Sequence, residues 1–264
     1  MSAILVEIQD PIGIITLNRP EKHNAFDDAL IADLTATLKE LDNNDAVRVV
    51  VLSAAGKSFS AGADINWMKR MASYSEADNY RDAMALGGLM RTLHGLSKPT
   101  IARVHGAAYG GGVGLVACCD IAVAGYDAAF ALSEVRIGLV PAVISPYVIA
   151  AMGERMARRY FLTGERFNAA EAYRIGLVHE LACDEDQLDN VIALIVEALL
   201  SAGPRSQAEA KALIGAVSKR PLSDQLVAET ARCISRIRVS PEGQEGLGAF
   251  LEKRDPNWLP PKPA

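Results

Sequence analysis

Apolar positions along the chain follow two spacings, and the spacing changes from one stretch to the next. Residues 4–8 and 13–17 are short β-branched runs parted by Asp10-Pro-Ile-Gly13, a pattern that predicts a hairpin. Asn18-Arg-Pro20 stops the second run, because proline cannot keep donating to a ladder. Leu30, Leu34, Leu38 and Leu41 then fall on one helical face, with Asp27 and Asp28 in a first turn that favours negative charge. Residues 47–52 are almost unbroken Val and Leu, as in a strand covered on both faces, and they run into a loop of small residues at 53–64. Residues 67–71 and 75–96 are expected to be helical. Ser97-Lys-Pro99 ends them, 100–104 is the next strand, and glycines follow at once.

Further strands are expected at 121–124 and 129–132. After Ser145 helical spacing dominates, at 146–162, 168–175, 185–202, 206–218 and 223–238, and only 176–179 has strand character. Asn168 stands three residues before Glu171, the spacing of a capping box. The tail from Asp255 is too proline-rich to continue a helix and is expected along the surface. Strand–strand–helix repeats without a GxGxxG fingerprint imply an α/β fold of stacked units.

Composition narrows the class. With 264 residues, half of them apolar, the chain can bury a large core, which excludes disorder. A net charge of −5 with no long Lys/Arg run points away from nucleic acid and anionic membranes. No stretch has the roughly 18 unbroken apolar residues of a membrane span, and the N-terminus lacks a secretory pattern, so the expected location is the cytoplasm. The four cysteines form no CxxC pair and the four histidines show no ligand spacing, so no metal site is expected.

The chemistry concentrates in Tyr109-Gly-Gly-Gly112 and the apolar run behind it. Consecutive glycines leave backbone N–H groups uncovered at the start of a buried helix, where an oxygen gaining negative charge could be held. Glu134 follows in an apolar setting that would raise its pKa toward neutrality and suit a general acid/base. His105 and Tyr109 are polar neighbours in sequence, although a single histidine before a glycine turn is more often structural.

Taken together, Asn18-Arg-Pro20, Phe59-Ser-Ala-Gly-Ala-Asp64, Lys98-Pro99, His105-Gly-Ala-Ala-Tyr-Gly-Gly-Gly112, Cys119-Asp120, Ser133-Glu-Val-Arg-Ile-Gly138 and Phe250-Leu-Glu-Lys-Arg254 resemble the crotonase (enoyl-CoA hydratase/isomerase) superfamily over nearly the whole chain. The resemblance implies a crotonase-like spiral of ββα units over residues 1–200, holding the acyl-CoA site, with a C-terminal helical trimerisation region over 201–264, assembled as a homotrimer or a dimer of trimers. It implies that a thioester oxygen is held by the amides of Ala63 and Gly111, with Glu134 as the acid/base. It places the acyl-CoA along Lys22, His23, Ala25, Ala61, Asp64 and Ile65, beside Tyr109 and Gly110, with Phe250 and Lys253 reaching over from a neighbouring subunit. No cofactor is implied, since coenzyme A is part of the substrate.

Two departures bear on the reaction. Hydratases of the family carry a second glutamate in the glycine-run helix, and here that position is Gly114. Residues 132–147 also depart from the Pro-Gly-Ala-Gly-Gly-Thr stretch of ordinary fatty-acyl hydratases; with Gly153-Glu-Arg155 and residues 236–246 they resemble bacterial methylglutaconyl-CoA and isohexenylglutaconyl-CoA hydratases. Such substrates carry a distal carboxylate, for which Arg136, Arg155 and Arg158 are candidate partners and which could itself hold the water in place of the lost acid. Arg136 would share a face with Glu134 if that segment is extended. The alternatives are a Δ3,Δ2-enoyl-CoA isomerase, which needs one base, and a non-catalytic protein that holds CoA or RNA; the acidic balance and the lack of an Arg/Lys helix argue against RNA.

Overall fold

The computed structural model describes residues 2–259, so the last five residues of the proline-rich tail lie outside it. The chain forms two compact units, Met1–Leu96 with Thr100–Leu194, and Ser97–Pro99 with Ile195–Ala264.

The first unit is built on a six-stranded sheet. β1 (Ile4–Gln9) and β2 (Ile12–Leu17) form the expected antiparallel hairpin, Ile4 facing Leu17 and Gln9 facing Ile12. β3 (Val49–Ala54), β4 (Thr100–Val104), β6 (Ile121–Gly125) and β9 (Glu180–Ala182) then add in parallel. Parallel neighbours need crossovers, and helices supply them. α1 (Asp28–Asp42) joins β2 to β3, burying Leu30, Leu34, Leu38 and Leu41 as its spacing predicts; Asp27 caps it by accepting from the Leu30 amide at 2.9 Å. α2 (Ile65–Met71) and α3 (Glu76–His94) lead to β4, and Ser75 and Asp78 form a capping box at the start of α3. The Asp120 carboxylate accepts from both the N–H and the hydroxyl of Thr100, at 2.8 and 2.9 Å, which pins the start of β4 to the start of β6.

A second, three-stranded sheet, β5 (Ala107–Tyr109), β7 (Ala129–Ala131) and β8 (Arg166–Asn168), lies outside the periodicity seen in the sequence for β5 and β8. Three residues carry too little alternation to be recognised; backbone partners create these strands. α4 (Gly111–Cys118) follows β5 and is buried along nearly its whole length, and α5 (Ser145–Thr163) is kinked at Gly153, where φ is 77°. The strand character at 176–179 belongs instead to a turn that buries Leu177 and Val178, and the strand itself starts at Glu180. Asn168 does cap α6 (Ala169–Arg174), accepting from the Glu171 amide at 2.9 Å. The reciprocal half of the box is missing, because the Glu171 carboxylate binds Arg174 and the Tyr160 hydroxyl.

The second unit contains the end of α7 (Glu185–Ser201), then α8 (Pro204–Val217), α9 (Asp224–Arg238) and α10 (Pro241–Glu252), the last not expected from spacing. Arg236 forks onto Glu209 with two bonds of 2.7 Å, and Glu242 accepts the orphan amides of Arg205 and Ser206 at the start of α8. Val227, Ile234, Leu247, Phe250 and Leu251 are exposed on α9 and α10.

Candidate active site

Two small-residue loops of the first unit are zipped together by backbone hydrogen bonds. Phe59 and Ser60 donate to His105 and Ala107 at 3.0 and 2.9 Å, and Tyr109 donates back to Ser60 at 2.8 Å. Small side chains are required where the loops touch: a Cβ on Gly112 would stand 2.6 Å from the Ser60 carbonyl oxygen, and one on Gly62 3.2 Å from that of Tyr109. The small residues common to both loops thus have a steric cause.

The amides of Ala63 and Gly111 lie one on each loop. Phe26 pairs with Ala63 as an isolated bridge, its N–H bound to Gly62 and its carbonyl to Asp64, both at 2.7 Å. In that pairing the N–H of Ala63 points away from Phe26. Gly111 is the first residue of α4, where an amide has no intrahelical acceptor. Neither amide is engaged by another described residue. Phe26 also joins the two: its ring packs on Gly111, with Cε2 3.0 Å from where a Cβ would stand, while its backbone holds Ala63. Phe26 is fully buried and is not among the residues expected from the sequence, where it reads merely as an apolar residue before a helix.

Glu134 begins a 3-10 turn, Glu134–Ile137, and its Oε1 lies 3.0 Å from the Cβ position of Gly110. Oε2 is buried without a hydrogen-bond partner. Burial pushes this carboxyl above its ordinary value, opposed in part by its own backbone N–H. A carboxyl that holds its proton more tightly than usual, lying against the glycine run, can take and return a proton.

Asp64 is the opposite case. It is buried, caps α2 by accepting from Asn66 and Trp67 at 2.7 and 3.2 Å, and pairs with Lys22 at 3.0 Å and Arg19 at 3.4 Å. Burial raises its pKa, but the Lys22 bond and the two amides outweigh that and hold it below the usual value. The segment expected to hold CoA is assembled here: the His23 carbonyl accepts from Ala61 at 2.9 Å, that of Ala25 from Arg19 at 3.2 Å, and Ile65 is exposed beside Asp64. Phe250, exposed on α10, and Lys253, its left-handed C-cap, belong to the second unit. His105 is buried, its Nε2 donating to the Gly56 carbonyl at 2.8 Å and its Nδ1 without a partner.

Among the described residues no hydrogen bond or ion pair joins Arg136, Arg155 or Arg158 to the Glu134 carboxyl, whose Oε2 is unpartnered. A 3-10 turn does not place residues two apart on one face, and the Arg136 Cγ and Nε lie 3.2 Å from the Cβ position of Gly164. Arg158 pairs with Glu154, and Arg155 is exposed. An open cavity of about 480 Å³ is lined by Arg159, Arg166 and Arg174, of which Arg159 is paired with Glu165 and Arg174 with Glu171. Among the described residues no group of three His, Cys, Asp or Glu could hold a metal, and no helix is long and apolar enough to cross a membrane.

Loops that offer two backbone donors next to a desolvated carboxyl, on an α/β frame of this order, define a site for polarising a carbonyl and moving one proton. Residues 7–260 match the family model for enoyl-CoA hydratase/isomerase, and the chain belongs to that family. An enoyl-CoA hydratase structure from Shewanella pealeana is 44% identical with a TM-score of 0.94, covering 97% of this chain and 96% of that one. A Legionella pneumophila structure assigned as an enoyl-CoA hydratase/isomerase (crotonase) is 46% identical with a TM-score of 0.92, covering 98% and 100%. A Thermus thermophilus protein assigned as an enoyl-CoA hydratase is 34% identical over 247 residues, 94% of this chain and 97% of its own length.

Proposed function

We propose that the protein adds water across the 2,3 double bond of an enoyl-CoA. The amides of Ala63 and Gly111 hold the thioester oxygen, each supplying about 3 kcal/mol as charge builds on it. Glu134 takes a proton from water as its oxygen bonds to C3, and the same proton is then delivered to C2. The observation that carries this reading is the Glu134 carboxyl, whose Oε1 lies against Gly110 and whose buried Oε2 has no hydrogen-bond partner. No cofactor is required, because coenzyme A is part of the substrate.

For the acyl group we favour a branched glutaconyl type, on the strength of residues 132–147 and 236–246. Of the three arginines considered for its distal carboxylate, Arg158 is paired with Glu154 and Arg136 packs on Gly164, which leaves the exposed Arg155 as the candidate. The exposed apolar residues of α9 and α10 support assembly into a trimer or a dimer of trimers, with Phe250 and Lys253 brought to a neighbour's CoA. A second reading, Δ3,Δ2-enoyl-CoA isomerisation, is favoured by one observation: the space over Gly114 is filled by hydrocarbon, so Glu134 has no second acid beside it.

A panel of enoyl-CoA thioesters in ¹⁸O-labelled water separates these. Labelled 3-hydroxyacyl-CoA, formed fastest from 3-methylglutaconyl-CoA, supports the first reading. Conjugated product from a 3-enoyl-CoA without label uptake replaces it with the second.

A further inference from the structure

The two places where the sequence leaves the hydratase pattern meet in space. α4 makes one turn from Gly110 to Gly114, whose N–H donates to the Gly110 carbonyl at 3.1 Å, so the two glycines share one strip of surface. Glu134 rests on that strip at Gly110, and Ile144 rests on it at Gly114. A Cβ added to Gly114 would collide with Cγ2 of Ile144, lying 3.0 Å from its Cβ and 3.1 Å from Cε of Met90. Ile144 cannot swing away cheaply: it is buried at 3% exposure and caps α5, its carbonyl accepting from Tyr147 and Val148 at 3.1 Å each. Val143 continues the surface toward Gly87, 3.7 Å from that glycine's Cβ position.

We propose that Ile144 is the specificity-determining residue of this site, because it occupies the room a side chain at position 114 would need and thereby faces the reaction centre with hydrocarbon suited to an acyl-CoA carrying an alkyl branch at C3. The proposal rests on the enoyl-CoA reading above. Only one of the two positions can carry a side chain, so Gly114 and the bulky 143–144 pair are one exchange rather than two. A water or a carboxylate placed against Ile144 and Met90 would lose hydrogen bonds, whereas an alkyl branch loses none. Glu134 is left as the one acid on the strip.

A double-variant cycle with Gly114→Glu and Ile144→Gly tests the exchange by thermal unfolding, without reference to activity. The loss of Tm caused by Gly114→Glu should shrink by at least about half in the Ile144→Gly background, as coupled neighbours do; equal losses in both backgrounds overturn the exchange. For specificity, the kcat/KM ratio of 3-methyl-branched over unbranched enoyl-CoA should fall about tenfold in Ile144→Ala and less in Ile144→Val, the scale of lost methylene contacts. An unchanged ratio in both overturns the assignment of Ile144. If the wild type turns over neither thioester, the enoyl-CoA reading has failed, and the same preference is then read from calorimetric binding of the matching saturated thioesters.

Discussion

Asp64 and Glu134 are the two carboxyls at the heart of the first unit, and their surroundings give them opposite work. Asp64 meets two amides, an ammonium and a guanidinium, so it stays charged and fastens a loop to a helix. Glu134 meets a glycine and has an oxygen with no partner, so its charge is costly and its proton is available for chemistry. Burial raises the pKa of both, and the partners of Asp64 reverse that rise.

The largest test of this contrast is Glu134→Gln. Removal of a lone general acid/base is expected to lower kcat by about 10²–10⁴-fold with little change in KM, measured by loss of the conjugated thioester absorbance. Asp64→Ala should leave an uncapped helix and unbalanced cations, costing about 2 kcal/mol in denaturant unfolding. The pH dependence should then run in opposite senses. Asp64, held below its ordinary value of 3.8, stabilises fully above that value and loses its contribution as pH falls through the depressed one, so the gap between wild type and Asp64→Asn should close in acid. Glu134, raised above 4.5, carries a penalty that is absent below that value and complete above its raised one. Glu134→Gln should therefore be more thermostable than wild type at neutral pH, with the gap vanishing in acid. Its raised pKa also predicts that kcat/KM for hydration falls with acid on a limb lying above the ordinary carboxylate range, since the base must first be deprotonated. The smallest effect is expected for Lys22→Ala: Lys22 is half-exposed and Asp64 keeps its amides, so unfolding should change by less than about 1 kcal/mol.

Much of this architecture is legible in the residues alone. The β1–β2 hairpin, α1, the Asn168 cap and the strand leading into the glycines announce themselves through period and punctuation, because each is long enough or sharp enough to mark the local chain. β5, β8 and α10 do not. The first two have three residues each, and their existence depends on partners more than twenty residues away. Phe26 and Ile144 stay hidden for a related reason, since an apolar residue in sequence does not reveal which glycine it covers. The one available signal is volume: side chains absent at 114 and present at 143–144 are a pair whose sum suggests contact.

By itself, then, the sequence determined the α/β alternation, the two small-residue loops and the acid that follows them, because these depend on local spacing and residue type. Only the tertiary structure decided that Ala63 and Gly111 keep free amides on loops zipped together, that Glu134 has an unpartnered oxygen, and that hydrocarbon rather than a second acid lies over Gly114. Those outcomes depend on which distant backbones and side chains exclude one another, and exclusion exists only once the chain is packed.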